Sequence, residues 1–353
     1  MEQFWRKFQE QSARPKYVFG CNIYAKSILK VCSVDGFIDD FSVAPTFCGL
    51  PIIRSADIPG NALVLAASGG KPLTVRRKLN ALGIEHLDYF SLSRWSGAPL
   101  REIVFNEAFC QEFLANEAEY QWAYNRLSDD LSRRIFRQLV SFRFTCDLDV
   151  MEGFSDRQQD QYFEDFLELR ASGEIFVDVG GFDGQTTLEF IKRCPGYRAA
   201  YVFEPDPVNF PICVRRLTAH RDVQVWPIGA SEAKGAASFA TNGSASGVSS
   251  EGTLTVEMDR LDAVLPLAPT FVKMDIEGGE SAAIGGAARI IREHHPRIAL
   301  SVYHKPGDFW RLPKQVLGLC PDFDIYLRHY TESIYETVMF FMPKNMPKQQ
   351  SPT

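Results

Sequence analysis

The stretch GEIFVDVGGFDGQTTLEF, residues 173–190, decides how this chain is read. An apolar run, Ile175-Phe176-Val177, leads into an acid, Asp178, then into Gly180, Gly181 and Gly184, and a helix-like segment opens from Thr186. That order belongs to a buried parallel strand, a tight turn and a helix whose N-terminus faces a ligand. Glycines admit close approach of the backbone where a Cβ would collide. Alone, the pattern fits either a nucleotide-binding turn or a structural strand–helix turn.

Downstream, apolar strands alternate with helical segments through residue 342. Strands are expected at Ala200–Phe203, Val223–Ile228, Phe271–Met274 and Arg297–Val302, with an edge-like strand at Thr253–Met258. Asp324–His329 and Glu336–Phe341 read as a closing antiparallel hairpin. Polar residues fall at successive strand ends: Asp178, Glu204, Asp275 with Glu277, and His304 with Asp308. In an open parallel sheet, ligands bind beyond those ends. Glu204 follows the glycine turn by about 20 residues, the spacing at which a carboxylate holds a ribose diol in NAD and S-adenosylmethionine sites alike. Asp178 beside the turn would repel a pyrophosphate and pair with an amino group, which favours S-adenosylmethionine.

VDVGGFDGQTT (177–187), VFEPDP (202–207), PIGAS (227–231) and FVKMDIEGGE (271–280) together resemble the FkbM-type S-adenosylmethionine-dependent methyltransferases over residues 158–342. SVYHKPGDFW (301–310) and YLRHYTESIYETVMFF (326–341) resemble a subset of that family. Many relatives carry alanine-asparagine after the turn glycine, where this chain has Gly181-Phe182. The resemblance implies that Asp178, Gly180, Gly184 and Glu204 bind the cofactor, with Asp206 orienting the adenosine and Ser246 contributing from a polar loop at 241–250. It also places Gln161-Tyr162-Phe163 near the cofactor's methionine end. Methyl transfer to a hydroxyl is an in-line displacement in which the acceptor loses a proton. Asp275 and His304 are the best-placed bases, with Glu277 a further candidate. The other route is a Mg²⁺ held by Asp275 and Asp308. Lys273 reads either as the partner of a site carboxylate or as a structural ion pair, and His329 as solvent-facing.

Residues 1–99 also alternate strands with helices. Gly20-x-Asn22-x-x-Ala25 keeps one glycine of the dinucleotide pattern, so dinucleotide binding is not expected of it. The segment, with the strand end GFIDD (36–40), resembles small Rossmann-like modules attached to sugar-modifying enzymes. Residues 100–172, with aromatics at helical spacing, read as a helical connector. The expected architecture is thus α/β with two Rossmann-like domains (1–99 and 173–342), the second a class I methyltransferase fold with a mainly parallel sheet. A disordered tail follows at 343–353.

A 353-residue chain with 45% apolar and 23% charged residues has the composition of a globular protein. Its net charge of −6 argues against nonspecific nucleic-acid binding. The N-terminus has no apolar signal-peptide core, and no run approaches the ~20 apolar residues of a membrane span. Eight scattered cysteines without metal-ligand spacing read as free thiols of a cytoplasmic protein. The expected activity is O-methylation of a sugar or related polar metabolite, with homo-oligomerisation open. The alternatives are a non-catalytic scaffold, motivated by Phe182 and the degraded first turn, and an NAD-linked oxidoreductase.

Overall fold

The computed structural model describes residues 2–11, 13–240, 246–248 and 252–344. The tail expected to be disordered lies outside them from residue 345 onward, as does most of the 241–250 loop. The chain forms two compact units. One comprises Met1–Glu112, Ile135–Gln158 and His329–Tyr335; the other comprises Phe113–Arg134, Gln159–Arg328 and Glu336–Thr353. The 100–172 stretch is helical but is not a body of its own, because its first and last parts pack into different units.

In the first unit, β1 (Lys16–Phe19), β2 (Gly36–Ile38), β3 (Thr46–Phe47), β4 (Leu50–Ile53), β5 (Leu63–Ala66) and β6 (Glu85–Asp88) form one sheet ordered β3-β4-β2-β1-β5-β6. All pairings are parallel except β3 with β4, which form an antiparallel hairpin. Val75 and Leu79, one helical turn apart on the helix Pro72–Ala81, seat on Ile38, Val64 and Ala66. Burying each such side chain stabilises the unit by about 1.5–3 kcal/mol. β6 ends at Asp88, which caps a new helix, Tyr89–Trp95, by accepting from the Ser91 N–H.

The second unit is built on β7 (Ile175–Val179), β8 (Ala199–Phe203) and β9 (Val223–Trp226). A smaller sheet follows: β10 (Ile228–Ala230), β11 (Gly235–Ala240), β12 (Gly247–Val248) and β13 (Leu254–Asp259). The main sheet is completed by β14 (Phe271–Met274), β15 (Arg297–Ser301), β16 (Phe323–His329) and β17 (Thr337–Pro343). Its order is β16-β17-β15-β14-β7-β8-β9, with β17 antiparallel to β15 and the strands from β15 through β9 parallel. β7 to β8 and β14 to β15 run outward in opposite directions, so the order reverses between β7 and β14, where such sheets bind ligands. The strand expected at the sheet edge, β13, instead pairs with β10 and β11 in the smaller sheet.

The two ends of β7 do different work. At its entry, Glu174 is buried and bonded to Arg297, Arg170 and Thr270. Burial alone would raise its pKa, yet the two guanidiniums and the hydroxyl carry it down to about 2. That end is a structural clamp, and the exit of β7 carries the chemistry. Among the described residues no helix is long and apolar enough to cross a membrane.

Candidate active site

At the exit of β7, Gly180 turns the chain at φ +85°, and a Cβ there would lie 2.0 Å from the Asp275 carbonyl oxygen. Only glycine lets the β7 and β14 ends approach so closely. Gly184, also left-handed, begins the helix Gln185–Arg193, and its Cα packs toward Cys213 and Leu217. Its place is therefore helix packing, and it is not among the residues that line the cleft. That cleft is open to solvent. Gly180, Phe182 and Glu204 form one side of it, Asp275 and Glu277 another, and Phe239, Ser246 and Met258 from the smaller sheet a third. Ser246, expected to contribute from the polar loop, is among the residues lining this cleft.

Asp178 does not face the cleft. It is fully buried beneath the turn, accepts from the Thr187 hydroxyl at 2.8 Å and lies 3.1 Å from the Lys273 ammonium. Lys273 also donates to the Gly180 carbonyl at 2.6 Å. The charge that was expected to meet an amino group of the cofactor is already met by a lysine of the neighbouring strand. Asp178 and Lys273 are a buried ion pair that shapes the turn.

Glu204 does line the cleft. One carboxylate oxygen accepts from the Phe182 N–H at 2.6 Å, and the other from the Asp206 N–H at 2.8 Å. Phe182 takes φ +47°, a conformation uncommon for a bulky residue, and so points its N–H at Glu204. This accounts for the residue that stands where relatives have asparagine: its backbone orients the acid while its half-exposed ring walls the cleft. Burial pushes the Glu204 carboxyl up to about 7, against the opposing pull of the two N–H groups. Asp206 is buried, and its side chain accepts from the N–H of Val208 and Asn209 at the start of the next helix. Its backbone N–H meets Glu204, while its carboxylate is turned to the start of that helix.

Beyond β14 stands a group of titratable side chains. His304 Nδ1 lies 2.9 Å from Glu280, and its Nε2 lies 3.4 Å from Asp275 and 3.7 Å from Glu277. Burial opposes the imidazolium, but the Glu280, Asp275 and Glu277 carboxylates outweigh it and raise the His304 pKa to about 10. A ring that keeps its proton to that pH has no lone pair to offer, so the expected role of His304 as a base does not fit its surroundings. Asp275 is held below the usual carboxylate range; burial works against this, and Lys273 and His304 prevail. Glu277 lines the cleft at φ +56°, and burial lifts its pKa to about 8 against the pull of His304, with Asp275 adding to the rise. Of the three expected catalytic residues, Glu277 alone combines cleft exposure with a pKa suited to general-base work near neutral pH.

One further residue, Glu336, is not legible as a site residue, and Gln161 and Tyr162, read as lying near the cofactor's methionine end, join it beside Asp275. Tyr162 donates its hydroxyl to Asp275, and Gln161 donates to the Tyr162 hydroxyl and to Glu336. Glu336 immediately precedes β17 and reads from sequence only as a strand residue. The Asp275–Asp308 pair considered for Mg²⁺ is not assembled, because Asp308 turns its carboxylate to the Lys305 N–H at 2.9 Å. Asp275, Glu280 and His304 do present ligand atoms within 4.8 Å of one another. In the metal-free protein these side chains pair with one another as ions. His329, expected to face solvent, is buried in the first unit with its ring edge-on to Phe154, and burial lowers its pKa to about 3.

Residues 178–334 match the family model described as Methyltransferase FkbM domain. Among solved structures, methyltransferase FkbM from Methylobacillus flagellatus KT aligns with a TM-score of 0.74 at 24% identity, over 96% of this chain and 92% of that one. At that identity the likeness speaks for the fold. An rRNA methylase from Streptococcus thermophilus is matched at a TM-score of 0.36 and 16% identity, over 51% of this chain and 92% of that one. A precorrin-6y C5,15-methyltransferase from Geobacter metallireducens GS-15 is matched at 0.31 and 15%, over 50% of this chain and 81% of that one. No protein of curated function matches the chain. The family model thus covers the stretch in which VDVGGFDGQTT and KMDIEGGE carry the resemblance: residues 178–334 match the FkbM methyltransferase domain.

Proposed function

We propose that the protein is an S-adenosylmethionine-dependent O-methyltransferase acting on a hydroxyl of a sugar or related polar metabolite. The observation that carries the cofactor is Glu204. Each of its oxygens already accepts one backbone N–H. A carboxylate oxygen can accept a second hydrogen bond, so both oxygens retain capacity for a diol. Two hydroxyl donors would also offset the burial that holds this carboxyl near pH 7. The bound cofactor would supply an electrophilic methyl group on a sulfonium.

The chain's own residues would then manage the acceptor. Glu277 stands in the cleft as the group to take the hydroxyl proton, and Asp275 and Ser246 offer further acceptors to a polyhydroxylated molecule. Catalysis needs Glu277 ionised, so turnover should rise with pH through about 8. The resemblance of the first unit to modules on sugar-modifying enzymes supports the choice of acceptor class.

Calorimetry with S-adenosylmethionine, followed by mass spectrometry of a panel of methyl glycosides incubated with enzyme and cofactor, tests both halves. Cofactor binding and a mass increase of one methyl group on a glycoside are expected. No binding would sink the cofactor reading; binding with no methylated hydroxyl in the panel would sink the acceptor reading.

A further inference from the structure

Beneath the cleft runs a polar chain that the proposed transfer does not itself use. Glu336 accepts from the Gln161 amide at 2.5 Å, and the same amide donates to the Tyr162 hydroxyl at 2.8 Å. That hydroxyl in turn donates to Oδ2 of Asp275, whose Oδ1 faces His304. Burial, followed by the charge of Asp275, pushes the Tyr162 hydroxyl well above its ordinary pKa, so it remains a donor. Tyr162 sits at φ +70° and Glu336 at φ +59°. Bulky or charged residues are held in that region only where the surroundings over-determine them, and such positions cluster at functional sites. Two of them meet here through one glutamine.

We propose that Tyr162 is a positioning residue for methyl transfer: its hydroxyl, braced by Gln161 and Glu336, pins one oxygen of Asp275 so that His304 is shared between Asp275 and Glu277. The proposal rests on the reading of Glu277 as the base. With Oδ2 of Asp275 occupied by Tyr162, His304 Nε2 lies 3.4 Å from Oδ1 and 3.7 Å from Glu277. Freed from Tyr162, the Asp275 carboxylate turns both oxygens to the ring and draws it away. Glu277 then loses the His304 cation that favours its ionised form and still faces Asp275, Glu280 and Glu336, which all disfavour it, while Lys305 stays on the Gly278 carbonyl. Lys273, which faces Asp275 from the same strand, is committed to Asp178 and the turn carbonyls and does not replace His304.

The test compares Tyr162→Phe with Glu336→Gln. Both are read by the pH profile of methyl transfer to whichever methyl glycoside the panel identifies, and by NMR titration of the His304 ring, which needs no turnover. Tyr162→Phe should raise the His304 titration point and move the acidic limb of the kcat profile upward by about one pH unit, at unchanged cofactor Kd. At pH 7 that is about a tenfold loss of kcat. Glu336→Gln keeps an acceptor for Gln161 but removes a negative charge from Glu277, so its limb should move downward. An unchanged limb and an unchanged ring titration in Tyr162→Phe would overturn the proposal, as would limbs that move in the same direction in both variants. Wild-type enzyme that binds cofactor yet methylates nothing would count against the function reading instead, and the ring titration would still decide the role of Tyr162.

Discussion

The two α/β units put the same device to opposite uses. Each has parallel strands whose carboxyl ends turn through a glycine into a helix, the geometry that ordinarily receives a nucleotide. In the second unit that end is open: Glu204 reaches the cleft with unused acceptor capacity, and Glu277 faces it across the gap. In the first unit the chain fills the end with its own groups. After β1, the Asn22 side chain accepts from the N–H of Tyr24 and Ala25 and donates to the carbonyl of Ala67 at the end of β5. After β5, the helix Pro72–Ala81 begins without a side-chain cap from its own N-cap residue. The buried Glu332 carboxylate takes that place, accepting from the Thr74 N–H at 2.7 Å, from the Thr74 hydroxyl and from Arg77. An anion site at a helix N-terminus needs an anion, and here the chain supplies it. Fold topology offers a site; the groups left unsatisfied at that site decide whether it takes a ligand.

If that contrast is right, substitutions at the open end should cost function and spare stability, and those at the filled end should do the reverse. The largest effect expected is from Glu277→Gln. It should lower kcat by about 10²- to 10⁴-fold, the usual worth of a positioned general base, with cofactor Kd nearly unchanged. Retention of more than a tenth of the wild-type rate would remove Glu277 from the mechanism.

Glu204→Ala comes next. Losing two hydrogen bonds to a charged group, at about 1.5 kcal/mol each, should weaken S-adenosylmethionine binding by about 100-fold in calorimetry. The thermal midpoint should shift little, since removal of a buried carboxyl offsets the loss of an acceptor for two backbone N–H groups. An unchanged Kd would mean that the open end is not the cofactor site.

A subtler consequence concerns pH. The Glu204 carboxyl is protonated below about 7 in the free protein, and it must ionise to accept both hydroxyls fully. Cofactor affinity should therefore fall by up to about tenfold per pH unit below that point, with proton release visible in buffers of different ionisation enthalpy. Affinity that stays flat from pH 5 to 8, as an experimental range, would show that Glu204 is already ionised or is not engaged.

The smallest effect belongs to the filled end. Glu332→Ala leaves a helix N-terminus uncapped and should destabilise the first unit by about 1–3 kcal/mol in denaturant unfolding, with cofactor affinity in the second unit unchanged. A variant as stable as wild type would weaken the contrast, because Glu332 would then be incidental to the fold.

Much of the main sheet is legible because its signals are local. Apolar runs such as Ile175–Val179 and Phe271–Met274 are short and bounded by acids and glycines, and the structure has strands there. Glu204 is legible because its distance from the turn is a property of one strand–turn–helix unit. The smaller sheet is less so: Gly235–Ala240 is too poor in branched or aromatic residues to read as a strand, and pairing with β13 makes it one. The division into units is equally illegible, since a loop as short as His329–Tyr335 carries no local mark of where it packs.

The sequence by itself determined the class of the fold, the glycine that the β7 exit requires and the acid that ends β8. Each follows from backbone sterics or from spacing within one continuous segment. Tertiary structure alone decided which acids are available. Asp178 is consumed by Lys273 from the neighbouring strand, and His304 is kept protonated by Glu280 and Asp275. Asp275 is held through Tyr162 and a glutamine bonded to Glu336, 175 residues further along the chain. Whether a buried charge is spent or spare depends on burial and on partners that meet only once the sheet has formed.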